Sequence, residues 1–168
     1  MQSVAPGETR PVYAKSAPSV GKFQLSIFWD CDGIIHMDYC PPKQTINAAY
    51  YSSLLQTVHS KLPIVRPGKI HKRPLFLQDN AHVHTAKVSM AKLRELKWQL
   101  IPNPAYSPDL TPSDFHLFGL LKDSLRGSRF GCKSELKSAV NEVVKTISKD
   151  WFEEGIKKAA ERWRKCID

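Results

Sequence analysis

Apolar and polar residues alternate through KFQLSIFWD, the period-two signature of a strand with one buried face made by Phe23, Leu25, Ile27 and Trp29. DCDG then supplies turn chemistry, with Gly33 free to take a positive φ, and GIIHMDYC resumes an extended apolar pattern. Together these predict a β-hairpin closed off by Pro41-Pro42. Within NAAYYSSLLQTVHSKL, Tyr50, Leu54, Leu55 and Val58 recur at helical spacing, and Thr45 or Asn47 can cap the helix. A basic loop with three prolines, PIVRPGKIHKRP, leads to LFLQD, a short apolar strand ending in aspartate. A helix-like stretch from about Thr85 to Lys97 and a second short strand, WQLIP, follow. Strand, helix and strand in that order predict parallel pairing through a helical crossover. From Pro112 the pattern is helical three times over: SDFHLFGLLKDSL, KSELKSAVNEVVKTI and WFEEGIKKAAERWRKC. The middle one carries a single apolar stripe of Leu136, Val140, Val143, Val144 and Ile147. Residues 1–20, punctuated by Pro6, Gly7, Pro11 and Pro18, read as an irregular arm. The whole predicts an α/β domain with a mixed sheet over residues 21–168.

Size and composition agree with one domain. The chain has 168 residues, 42% hydrophobic and 24% charged, the balance of a globular protein rather than a disordered one. No stretch approaches the roughly 20 apolar residues of a membrane span, and the polar start is not a signal peptide. Cys31, Cys40, Cys132 and Cys166 are scattered without a CxxC pair, which favours reduced thiols over a disulfide framework.

Charge sharpens the picture. Lys and Arg number 25 against 16 Asp and Glu, a net +9 that suits a polyanionic partner such as nucleic acid, with a basic surface that only keeps the protein soluble as the equal alternative on composition. Residues 1–78 carry +5, residues 79–114 are neutral and residues 115–168 carry +4. A neutral centre between basic flanks suits an acidic site set in a DNA-binding surface. The basic candidates are Arg66, Lys69, Lys72 and Arg73 in the loop, and Arg162 and Arg164 near the C-terminus.

Two aspartates stand where functional groups gather in α/β sheets. Asp79 ends the LFLQ strand, and Asp114 opens a helix after a proline-studded loop, with 34 residues between them. Two carboxylates brought together repel, and a divalent cation with hard oxygen ligands relieves the repulsion. A plainer reading stays open on these residues alone: Asp79-Asn80 as a strand-end turn, and Ser113 or Asp114 as an ordinary helix cap. His82 and His84 near Asp79 make a weak zinc candidate, since no cysteine lies close in sequence. Trp151, Phe152 and Trp163 at helical spacing read as packing residues, with stacking on DNA beside Arg162 and Arg164 as the alternative.

The motifs in sequence, LFLQDNAHVHTA followed by NPAYSPDLTPSDFHLF, closely resemble those of the mariner-type DNA transposases. The hairpin's Trp29, Asp30 and Gly33, the NAAYY helix start and the closing ERWRKCI extend the resemblance from about Gly21 to Cys166. It implies a ribonuclease-H-like fold, shared with retroviral integrases, and three acidic residues holding Mg²⁺ or Mn²⁺ for DNA cleavage and strand transfer. Asp79 matches the second acid and Asp114 the third, with Asn80 and His84 near the site and Asp109 shaping the loop that Pro108 and Pro112 stiffen. In the family the first acid lies on an earlier strand, in a Gly-Asp-Glu context, after a helix-turn-helix region that reads transposon ends. Neither is found here: Glu8 sits in a PGET loop, and Asp30 and Asp32 lie in the hairpin turn. The resemblance therefore implies an N-terminally truncated catalytic domain with two of three acids and weak metal binding. It further implies DNA as partner, a nuclear location and a possible homodimer through the N-terminal arm. A transposase-derived module for DNA binding or self-association, without chemistry, is the alternative.

Overall fold

A computed structural model describes residues 23–69 and 73–166, so the expected N-terminal arm lies outside the described residues. β1 (Leu25–Asp30) and β2 (Gly33–Tyr39) form the antiparallel hairpin, paired from Leu25–Tyr39 to Asp30–Gly33. A shift in register between Phe28 and Trp29 bulges the ladder and turns successive side chains. At the tip Gly33 adopts φ +118°, which a side chain would strain, and Asp30 Oδ1 accepts a hydrogen bond from the Asp32 N–H at 2.9 Å.

The hairpin has two packed faces rather than the expected one. Leu25, Ile27 and Trp29 meet a core built on Leu117, Leu121, Val140 and Phe152. Phe28, on the opposite face, is only 8% exposed because α1 (Ala48–Val65) covers it with Tyr51, Leu54, Leu55 and Val58. Period-two alternation suggested one apolar face, but a helix on each side makes both apolar enough to bury.

Asn47 caps α1 by accepting from the Tyr50 N–H at 2.8 Å. The helix runs past the predicted boundary, through Pro63 to Val65, before the chain reaches the basic loop. Next come β3 (Leu75–Leu77), a short α2 (His82–Thr85), α3 (Lys87–Glu95) and β4 (Gln99–Ile101). β3 and β4 pair in parallel, Leu75 with Gln99 through Leu77 with Ile101, so the strand–helix–strand unit is a crossover as predicted. Its helix breaks once, at Ala86, where ψ is 144°. Among the described residues the sheet consists of two ladders, β1–β2 and β3–β4, that share no hydrogen bonds. They meet through side chains: the Phe28 and Phe76 rings stack at 6.3 Å, and Phe76 meets Trp98 edge-on at 5.1 Å.

A 3₁₀ turn (Pro108–Leu110) and a π-helical segment (Ser113–Phe118) run into α4 (Gly119–Leu125). α5 (Lys133–Thr146) lays its predicted stripe on the second core, with Val140 at 3% exposure. α6 (Lys149–Lys165) crosses the π-helical segment at Gly155, where any Cβ would overlap the His116 ring. His116 in turn stacks on Trp151 at 3.6 Å, and its Nε2–H donates to the Trp151 carbonyl at 2.8 Å. Trp151 and Phe152 are thus packing residues. Trp163 donates to the Leu110 carbonyl at 3.0 Å and braces the loop ahead of Asp114.

Candidate active site

The apolar run of β3 ends at Leu77 because Gln78 and Asp79 turn their polar groups to local partners. Buried Gln78 accepts from the Tyr51 hydroxyl at 2.8 Å and donates to the His84 carbonyl at 3.3 Å. The Tyr51 and His84 rings lie 4.3 Å apart. Burial, reinforced by the Asp79 charge, pushes the Tyr51 hydroxyl above its ordinary pKa. His84 is thereby held with Nδ1 2.5 Å from Asp79 Oδ1. A carboxylate only accepts, so the imidazole donates through Nδ1–H. The Ala81 N–H reaches the same Oδ1 at 3.0 Å. One oxygen is committed, and Oδ2 has no hydrogen bond among the described residues.

Asp114 arrives from the other side. Pro108 and Pro112 restrict the approach, and the Trp29 indole donates to Ser113 Oγ at 3.0 Å, pinning the start of the π-helical segment to the hairpin. Such π segments are rare and recur at functional sites. The Asp114 side chain is exposed and makes no hydrogen bond or ion pair among the described residues. Partial burial raises its pKa, the Asp79 charge raises it further, and Lys122 offsets part of this. The charge on Asp79 is thus felt at Asp114, which puts the two carboxylates within electrostatic reach of each other. Asn80, exposed beside Asp79, donates from Nδ2 to the Asn103 carbonyl at 2.7 Å. A cleft of about 310 Å³ opens here, lined by Asp79, Asn80, Thr85, Met90 and Asn103 among others.

What this donor set fits is a hard divalent cation: two carboxylates, one already oriented, neither paired with Lys or Arg within 4.0 Å among the described residues. No group of three His, Cys, Asp or Glu capable of holding a metal occurs among them, which leaves His82 and His84 without the ligands a zinc site needs. Tyr51, Gln78 and Asn103 were not singled out from sequence. Tyr51 and Gln78 sit in apolar or mixed runs, and only their contacts give them a role.

The basic candidates divide. Arg66, at 13% side-chain exposure, donates from Nη2 to Asp30 Oδ1 at 2.9 Å and to the Gly33 carbonyl at 3.1 Å. Lys69 pairs with Asp30 at 3.3 Å and closely with Asp32, and Lys149 reaches Asp32 Oδ1 at 2.7 Å. Burial pushes the Asp30 carboxyl up, but Arg66, the Asp32 N–H and the Lys69 charge hold it below its usual range. Asp32 is held down to about 2, chiefly by hydrogen bonds from Lys149 and Lys69. The loop's basic character thus serves the hairpin turn as well as solvent. Arg162 stacks over Phe115 at 3.9 Å and donates to the Asp109 carbonyl at 2.7 Å. Arg73 and Arg164 are exposed. Lys72 lies outside the described residues.

Comparison with known proteins places the chain as a whole. A family described as Transposase (partial DDE domain) matches residues 1–72. The chain is 34% identical over 148 residues to the human histone-lysine N-methyltransferase SETMAR, covering 88% of this chain and 22% of that protein. It is also 34% identical over 166 residues to the mariner Mos1 transposase of Drosophila mauritiana, covering 98% of this chain and 48% of that one. The chain therefore spans about half of one relative and under a quarter of the other. The Mos1 catalytic domain solved with raltegravir and Mn superposes with a TM-score of 0.84 at 36% identity, covering 89% of this chain and 76% of that chain. The Mos1 paired-end complex with the left transposon end superposes at 0.82 with 35% identity, covering 99% of this chain and 49% of that one. Similarity of this extent and identity, over a ribonuclease-H-like catalytic domain, shows that the chain belongs to the mariner-type transposase family.

Proposed function

We propose that this chain is the greater part of a transposase catalytic domain, acting in metal-dependent DNA cleavage and strand transfer, with Asp79 and Asp114 as ligands of Mg²⁺ or Mn²⁺. The observation that supports it is that the Asp79 charge reaches Asp114, while neither carboxylate is paired with Lys or Arg among the described residues. When bound, the ion supplies a Lewis acid for phosphoryl transfer. The chain's own residues prepare its place. His84 and the Ala81 N–H fix one Asp79 oxygen and present the other. At Asp114, where partial burial and then the Asp79 charge both disfavour the ionised carboxyl, a bound cation would offset both.

Two carboxylates hold one ion loosely and a second hardly at all, so the 168-residue chain is expected to bind Mn²⁺ weakly and to cleave no DNA. The basic balance of the chain favours a second reading, a DNA-binding or self-associating module without chemistry. Manganese paramagnetic resonance on wild type and on Asp79→Ala, Asp114→Ala, beside a plasmid-nicking assay, separates the two. Saturable Mn²⁺ binding lost in the double variant supports the metal site. Wild type indifferent to Mn²⁺ leaves only the second reading. A DNA partner is supported by the basic balance of the chain and by the solved complex of Mos1 with a transposon end. Action on DNA in turn implies a nuclear location. Self-association through residues 1–20 is tested by sedimentation of the chain with and without them.

A further inference from the structure

We infer that Asn103 is a positioning residue that sets the spacing of Asp79 and Asp114 through a relay of side chains; the inference deepens the metal-site reading above and rests on it. Asn80, covalently next to Asp79, donates to the Asn103 carbonyl at 2.7 Å. The Asn103 amide donates from Nδ2 to Thr111 Oγ1 at 3.1 Å. The Thr111 carbonyl then accepts from the Asp114 N–H at 2.9 Å and the Phe115 N–H at 3.2 Å. Three links carry the path from one carboxylate's neighbour to the other's own backbone.

Other ties on the Asp114 loop lead elsewhere. Ser113 is held by Trp29, Asp109 by Arg162 and Leu110 by Trp163, so they fix the loop to the hairpin and to α6. Among the described residues only the Asn103 relay joins it by hydrogen bonds to the end of β3. Like charges at Asp79 and Asp114 push the two segments apart, and a tie at this point opposes that push.

A second observation separates positioning from simple packing. Asn103 Oδ1 is buried with no hydrogen-bond partner among the described residues. An unpaired buried carbonyl lowers stability, and turning the amide over only moves the deficit to the nitrogen. Leucine, of similar size, would remove the deficit altogether. Asparagine at 103 is thus a poor choice for stability and a good one for reaching Thr111.

Asn103→Leu tests this, with Thr111→Val as a second break in the relay and Thr111→Ser as the variant that keeps the hydroxyl. Mn²⁺ affinity of the full chain should fall roughly 10–100-fold in the first two and stay near wild type in the third. Exchange of the Asp114 and Phe115 amides should quicken severalfold, while the melting midpoint of Asn103→Leu holds or rises. Unchanged Mn²⁺ affinity and unchanged exchange in Asn103→Leu and Thr111→Val would overturn the inference. If wild type binds no Mn²⁺, the metal reading fails by itself and amide exchange alone decides: quickened at Asp114 supports the relay, unchanged refutes it.

Discussion

Two pairs of aspartates in this molecule are handled in opposite ways. Asp30 and Asp32, at the hairpin tip, are met by Arg66, Lys69 and Lys149 within ion-pair distance, and both carboxyls sit below their usual pKa. Asp79 and Asp114 have one imidazole between them and no ion-paired Lys or Arg among the described residues, and Asp114 sits above its usual pKa. The first pair is neutralised from within and does structural work. The second is left without such counter-charge among the described residues, as the metal-site proposal requires. Carboxylate pairs in a sequence look alike, and the supply of counter-charge tells them apart.

The sharpest way to break the comparison is to exchange the outcomes. Asp79→Ala should reduce Mn²⁺ affinity beyond the roughly 100-fold that outer-sphere changes reach, whereas Asp30→Asn should leave it intact. Calorimetric titration of both variants reads this directly, and equal losses would erase the distinction. Stability should respond in reverse. Arg66→Ala leaves Asp30 partly buried without its main partner and should cost about 1–3 kcal/mol in urea unfolding, against a slight gain of no more than about 0.5 for Asp114→Asn.

Acid should sharpen the contrast further. Asp30 and Asp32 are depressed in the folded state, so their contribution is present above the unfolded value of about 3.8 and is lost as pH falls towards 2. Asp114 is raised, so it penalises the folded state at neutral pH and the penalty fades as pH falls through its native value. Melting midpoints at pH 7 and pH 3 should show wild type losing stability overall, while Asp114→Asn exceeds wild type slightly at pH 7 only. The smallest effect concerns DNA. Each phosphate contact contributes roughly −0.9 to the log–log salt slope, so Arg73→Ala should flatten it by about that much. Asp-paired Arg66 should contribute less. Binding isotherms at several salt concentrations on unrelated duplexes measure both.

Much of this was legible beforehand. The hairpin, the crossover and the apolar stripe of α5 follow from periodicity, although the hairpin's second buried face, at Phe28, does not. Asp79 and Asp114 stand out because strand ends and loop prolines mark where polar groups collect. The counter-charge on Asp30 was not legible: Arg66 lies 36 positions away and was read as part of a DNA-facing loop. The helix through Pro63 was missed because proline near a helix end forfeits only one backbone bond, which packing by Leu62 outweighs. The Asn103 relay left no pattern either, since it is made from one backbone carbonyl, one amide and one hydroxyl on separate segments.

Gly155 in the middle of α6 carries a consequence for anyone wishing to toughen this protein. Glycine inside a helix normally invites replacement by alanine, a substitution that gains about 1 kcal/mol of helix propensity. Here the added methyl would wedge α6 away from the His116 ring, and the same helix carries Arg162 and Trp163, which hold the Asp109–Leu110 turn. A routine thermostabilising edit would act as a lever, its fulcrum at His116 and its far end on the loop that delivers Asp114. Position 155 is one at which a gain in local helicity should be read as a displaced carboxylate.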